Sequence, residues 1–122
     1  MKINCKVSTK ANPIIPTKYV FTSFDNDKAP EEEQAYVMVK QLTTKSLNKY
    51  INLTDGGNMN ACDVFAGQVT SVHHVYNEIV ERDMTKEEIL DSPANIMLMA
   101  LVNEVFAYLL NETKLNGEEE KN

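Results

Sequence analysis

The chain has few of the residues from which catalytic and metal sites are built. Its 122 residues hold two histidines and two cysteines. His73 and His74 are neighbours, while Cys5 and Cys62 stand far apart and belong to neither a CxxC nor a Cys/His spacing. A structural zinc site takes four such ligands and a catalytic one three, so no metal or cofactor is expected. Four glycines are present, two of them in "DGGN" at 55–58. That stretch lacks the Lys-Ser/Thr of a phosphate loop and the spacing of a dinucleotide fingerprint, which leaves a helix stop and a turn. No Ser, His and Asp set sits in the context of a nucleophile elbow. An enzyme is therefore not expected.

Bases are scarce in the second half. Residues 1 to 24 carry Lys2, Lys6, Lys10 and Lys18 without an acid, and Asp25 to Glu33 is sharply acidic. From Asp55 onward thirteen acids face four bases, and the whole chain has a net charge of −6. A surface dominated by carboxylates repels phosphate backbones, so nucleic acid is not an expected partner unless the early lysines cluster. "DNDKAPEEE" alternates Asp25 and Asp27 in the manner of a calcium loop. However, Pro30 and Tyr36 stand where that loop needs its glycine and its bidentate acid.

A long hydrophobic segment of membrane-spanning length is also missing. "NIMLMALVNEVFAYLL" (95–110) has fifteen residues after Asn95, is interrupted by Asn103 and Glu104, and is flanked by Asp91 and Glu112. A span needs roughly 20 apolar residues and favours basic anchors. The N-terminus lacks the apolar core of a signal peptide, so a cytoplasmic home with free thiols is expected, a Cys5–Cys62 bridge being the alternative.

With 43% hydrophobic and 25% charged residues the length fits one domain with a genuine core. The expected class is α+β, mainly helical. Residues 1–42 form an extended N-terminal part, 43–112 a helical body with two long packed helices, and 113–122 a charged flexible tail. "INCKV", "KYVFTSF" and "AYVMVKQL" read as three short strands by alternation and by β-branched and aromatic content. "NPIIP" removes backbone donors and suits an edge or linker, and "DNDKAPEEEQ" is a long loop or one irregular helical turn. "LTTKSLNKYINL" predicts a helix capped by Thr43 or Thr44 and stopped at "TDGGN".

Phe65, Val69, Val72, Tyr76, Ile79 and Val80 recur at helical spacing, which predicts one long helix from Asn60 or Ala61 to about Glu81. On that helix His73 and His74 point apart, and His74 shares a face only with Glu78. Thr85 and Glu88 make a capping box for a short helix over 86–91. Ser92 and Pro93 open the last helix, expected over 93 to about 112, with Gly117 as the breaker.

On the last helix Leu98, Leu101, Val102, Val105 and Leu109 form one stripe, sufficient to pack against the long helix. Ile96, Met99, Phe106 and Leu110 form a second, interrupted by Asn103. Its cover comes either from the strands and short helix of the same chain or from another molecule. Met97 and Met99 suit a surface that accommodates varied apolar partners.

The order of these elements resembles the tail assembly chaperones of tailed bacteriophages. The likeness lies in an extended N-terminal part leading to "YVMVKQLTTKSLNKYI", a helical middle, and the closing "ILDSPANIMLMALVNEVFAYLLNETKLNGEEEKN". Such proteins are not enzymes; they coat the sticky tape-measure protein before the tail tube forms around it. The resemblance implies a protein-binding module in the host cytoplasm, with Ile96, Met99, Phe106 and Leu110 meeting the client and the acidic surface keeping the assembly soluble. The alternative is a structural virion or oligomeric scaffold component that self-associates through the same helix, with the lysine-bearing half of one copy against the acidic half of the next.

Overall fold

The computed structural model describes residue 2, residues 14–52 and residues 59–119, with side chains through Thr113. Strands β1 (Thr17–Val20), β2 (Tyr36–Val39) and β3 (Val69–His73) form one antiparallel sheet in that order. Strands β4 (Tyr76–Asn77) and β5 (Arg82–Asp83) form a separate hairpin. Around them stand helices α1 (Thr44–Asn52), α2 (Ala61–Gln68), α3 (Lys86–Asp91) and α4 (Ile96–Glu119). The α+β class with helix predominating is the one expected, as is the order of N-terminal strands before a helical body with a long last helix. "INCKV", the stop at "TDGGN" and the last three residues lie outside the described residues.

Register divides the sheet into two faces. Tyr19, Val37 and Val72 pair across it, as do Val39 and Val69, and these side chains point into the core with Val64 and Phe65 of α2 and Leu101, Val105 and Leu109 of α4. The opposite face carries Lys18, Tyr36 and His73; the His73 ring stacks on Tyr36 at 4.4 Å and the Lys18 ammonium lies 4.3 Å from the Tyr36 ring centre. Between Met38 and Val39 the register shifts, so Thr70 is the extra residue of a bulge, and its hydroxyl donates to the Met38 carbonyl at 3.1 Å.

The segment between β1 and β2 takes two 3-10 turns, Ser23–Lys28 and Glu31–Glu33. Asn26 fastens it. Its amide donates to the Phe21 and Ala35 carbonyls at 2.7 and 2.8 Å, and its side-chain oxygen accepts from the Ala35 N–H at 2.8 Å. Phe21 is thereby held fully buried next to the sheet.

The expected long helix from 60 or 61 to 81 is corrected: it stops at Gln68 and the chain continues as β3. Val69, Thr70 and Val72 are β-branched and lose side-chain freedom in a helix, whereas in the sheet Val69 pairs with Val39 and is buried, and Val72 pairs with Val37 and is half-buried. The helical periodicity of Phe65 to Val80 is thus met by three different elements. Phe65 and Val69 are buried as expected, but Tyr76 and Val80 are exposed on the β4–β5 hairpin and Ile79 at its tip is 92% exposed. His74, read as a helical residue facing Glu78, instead turns the chain with φ 62°, and one of its ring nitrogens lies 3.0 Å from the Gln34 carbonyl.

Three starts follow side-chain chemistry. Thr43 and Ser46 cap each other's amides at α1, and Asn60 accepts from the Cys62 and Asp63 amides at α2. The Thr85–Glu88 capping box of α3 stands as read. The start of α4 is corrected: Ser92 closes α3 by donating to the Glu88 carbonyl, and Asn95 caps α4 by accepting from the Met97 and Leu98 amides. The helix also runs past residue 112 and past Gly117 to Glu119.

Gly67 sits where α2 passes the buried Tyr50 ring of α1. A Cβ at this position would lie 2.0 Å from the Tyr50 hydroxyl oxygen, which donates to Gln68 Oε1 at 2.8 Å. Gln68 in turn donates to the Lys40 and Gln41 carbonyls, tying both helices to the end of β2. Alanine's better helix propensity offers about 1 kcal/mol, but a methyl forced against the buried Tyr50 ring costs about 1–3 kcal/mol and here also disturbs the buried Tyr50–Gln68 hydrogen bond. Gly67→Ala is expected to lower the urea midpoint, with a net destabilisation of about 1–2 kcal/mol.

Candidate functional site

Two interactions set the rotation of α4 about its own axis. The first is burial of Leu101, Val102, Val105 and Leu109, with Leu98 half-buried beside them, which is the core stripe expected from the sequence. The second was not visible in the sequence. Glu104, on the flank facing β1, accepts from the Tyr19 hydroxyl at 2.6 Å, from the Thr22 amide at 2.7 Å and from the Ser23 amide at 3.0 Å, together with the Thr22 and Ser23 hydroxyls. One turn on, Tyr108 stacks on Tyr19 with ring centres 4.3 Å apart, and its hydroxyl accepts from the Gln41 amide at 3.1 Å.

Burial pushes the Glu104 carboxyl up, but the hydrogen bonds from Ser23, Tyr19 and Thr22 outweigh it, and the group is held below the ordinary carboxylate range. The Tyr19 phenol moves in the opposite direction, raised by burial first and then by the carboxylate it donates to. Among the described residues, the partners of this anion are all neutral donors.

These anchors leave the second stripe unevenly covered. Ile96 is 85% exposed and Met99 56% exposed, whereas Phe106 packs against the core and Leu110 is half-buried. The structure therefore does not bring the four expected partner residues onto one open face; it divides them between an exposed first turn and a covered second half. Met97, also 54% exposed, belongs with the first turn. Farther along, the outward face of α4 is small or polar, with Asn103, Ala107 and Asn111 exposed.

Beside the exposed turn lies a groove of about 260 Å³ between the end of α3, the start of α2 and α4. Ile89 and Leu90 wall it on one side and Leu98, Met99 and Val102 on the other, with Pro93 at one end and the exposed thiol of Cys62 on α2. Its polar lining consists of neutral groups, Ser92, Asn95 and Asn103. Such a cleft can take apolar side chains and offers no ionisable pair for proton transfer. Sequence spacing pointed to Met99, but the groove's other walls come from separate helices.

A second hollow lies where Lys18, Glu31, Glu32, Tyr36 and His74 meet at the end of the sheet. Among the described residues, no group of three or more His, Cys, Asp and Glu is placed to hold a metal ion. By length and composition Ile96–Thr113 is apolar enough to cross a membrane, yet one side of that segment forms the core of this domain. Comparison of the chain with known protein families, with curated proteins and with solved structures gave no match.

The Glu104 anchor has a testable pH dependence. A carboxyl whose folded pKa is depressed adds stability that is present above its unfolded pKa and is lost as pH falls through the folded one. Glu104→Gln keeps the shape but turns an amide toward donors, and is expected to cost about 2 kcal/mol at neutral pH. In urea denaturation at stepped pH, the gap between wild type and Glu104→Gln should close on acidification below the ordinary carboxylate range. A gap independent of pH would show that the charge of Glu104 does not stabilise the fold.

Proposed function

We propose that this protein is a non-catalytic protein-binding module whose first α4 turns and adjoining groove shelter an apolar helical segment of another protein, in the manner of a phage tail assembly chaperone acting on a tape-measure protein. The observation that carries this is the joint exposure of Ile96, Met97 and Met99 beside a groove lined by Leu90, Leu98 and Val102. Scattered apolar residues are ordinary on surfaces, but three large ones within four positions, continuous with an apolar cleft, make a patch whose burial stabilises a complex by about 25 cal/mol per Å². Helix-in-groove recognition uses anchors of this kind.

No bond-making step belongs to this function, and neither a cofactor nor nucleic acid takes part in it. The partner-contacting set becomes Ile96, Met97 and Met99, with Phe106 and Leu110 supporting the helix from within. A self-associating scaffold component would use the same face against another copy of the chain.

Light scattering after size-exclusion chromatography separates the two, together with turbidity of an aggregation-prone apolar helical peptide mixed with the protein. The expected result is a monomer or small oligomer at micromolar concentration that keeps the peptide soluble, with protection lost in Met99→Glu and Ile96→Glu while the unfolding midpoint stays within about 0.5 kcal/mol of wild type, as for exposed sites. Rings or longer assemblies that Met99→Glu dissolves would identify the scaffold instead. Variants that change neither association nor protection would remove the α4 surface from consideration.

A further inference from the structure

The half of the molecule that builds the groove has more acidic than basic residues, and that excess specifies the chemistry of its occupant. Of the residues from 59 to 113, nine are acidic and two are basic. Both bases are committed within the fold. Arg82 forms a two-pronged pair with Glu88 at 2.6 and 2.7 Å, and the Lys86 ammonium donates to the Ala66 and Val69 carbonyls at the end of α2, at 2.9 and 3.0 Å. Glu88 is accordingly held at about 2, chiefly by Arg82, and Glu104 is satisfied by neutral donors.

The acids next to the groove have no such partner among the described residues. Asp63 follows the groove residue Cys62, and Asp91 stands between the groove residues Leu90 and Ser92. Glu87 lies one turn before Leu90 and Asp91 on the same side of α3. All three are exposed, and no ion pair joins them to any described residue. Because the groove lining itself is apolar or neutral, the local pattern is an oily cleft with a carboxylate rim.

We infer that the groove binds a cationic amphipathic helix, one whose apolar side chains at i and i+3 or i+4 enter between α3 and α4 while flanking lysines or arginines meet Asp63, Glu87 and Asp91. This rests on the proposed binding function and adds the charge of the client segment. Rim charges of opposite sign raise the association rate, make it salt-dependent and reject acidic competitors. An apolar helix bearing glutamates at the same flanking positions meets like charges and is excluded.

The test uses the full chain and two fluorescent helical peptides with identical apolar faces, one with lysine and one with glutamate at the flanking positions, measured by anisotropy. The lysine peptide is expected to bind at least tenfold more tightly at low salt, and the preference should shrink as ionic strength shortens the screening length. A triple variant, Asp63→Asn, Glu87→Gln and Asp91→Asn, should lose most of the preference, and Met99→Glu should weaken uptake of the glutamate peptide as well. Equal binding of both peptides, still abolished by Ile96→Glu, would overturn the charge inference and leave the binding function standing. Binding of neither peptide would overturn the inference; a concentration-dependent mass abolished by Met99→Glu would then assign the groove to a second copy, against the binding function too. Preference retained in the triple variant would place the cation's partner elsewhere and likewise overturn it.

Discussion

The position of α4 depends on a single carboxylate. A helix whose apolar residues occupy more than one stripe has several rotations in which some hydrophobic face is buried, and area alone discriminates weakly among them. Glu104 removes that freedom, since its oxygens must lie where the hydroxyl of Tyr19 and the amides of Thr22 and Ser23 converge. A half-buried charge turned away from these donors would lose its solvation without replacement. Once Glu104 faces β1, the stripe of Leu101, Val105 and Leu109 must enter the core. The first-turn residues Ile96 and Met99 are then left outside.

The same economy governs the smaller elements. α3 has six residues, too few to be stable alone, and is held at its first turn by side chains that also serve another element. Glu88 closes the capping box and also pairs with Arg82 of the hairpin, while Lys86 satisfies carbonyls at the end of α2. These bonds hold α3 against the hairpin and the end of α2, and the groove lies where α3 and α2 meet α4. They also occupy both bases between residues 59 and 113, so neither is free to neutralise the acids beside the groove.

In the function proposed above, phage tail assembly chaperones are the frame for such a surface, a domain that would keep another chain's apolar helix out of water. The exposed turn of Ile96, Met97 and Met99 supports that frame, whereas the hairpin tip at Ile79 shows that not every exposed apolar residue here lies on the same patch. Methionines at two of the three exposed α4 positions make this surface adaptable in shape.

Local chemistry was legible in the amino-acid sequence. The capping box at Thr85, the short helix after Thr43, the core stripe of α4 and the irregular turn in "DNDKAPEEEQ" each depend on residues a few positions apart, so they are readable along the chain. The sequence also specified the acidic imbalance, though not that Arg82 and Lys86 would be consumed internally. Tertiary structure decided the remainder. Val69 to His73 carries both helical and strand periodicities, and pairing with Val37 and Val39 across thirty residues of chain selected the strand. The role of Glu104 needed partners more than eighty residues away. Which end of the Ile96, Met99, Phe106 and Leu110 stripe stays open was set by where α2 and α3 stop, a property of packed helices that no spacing along one helix contains.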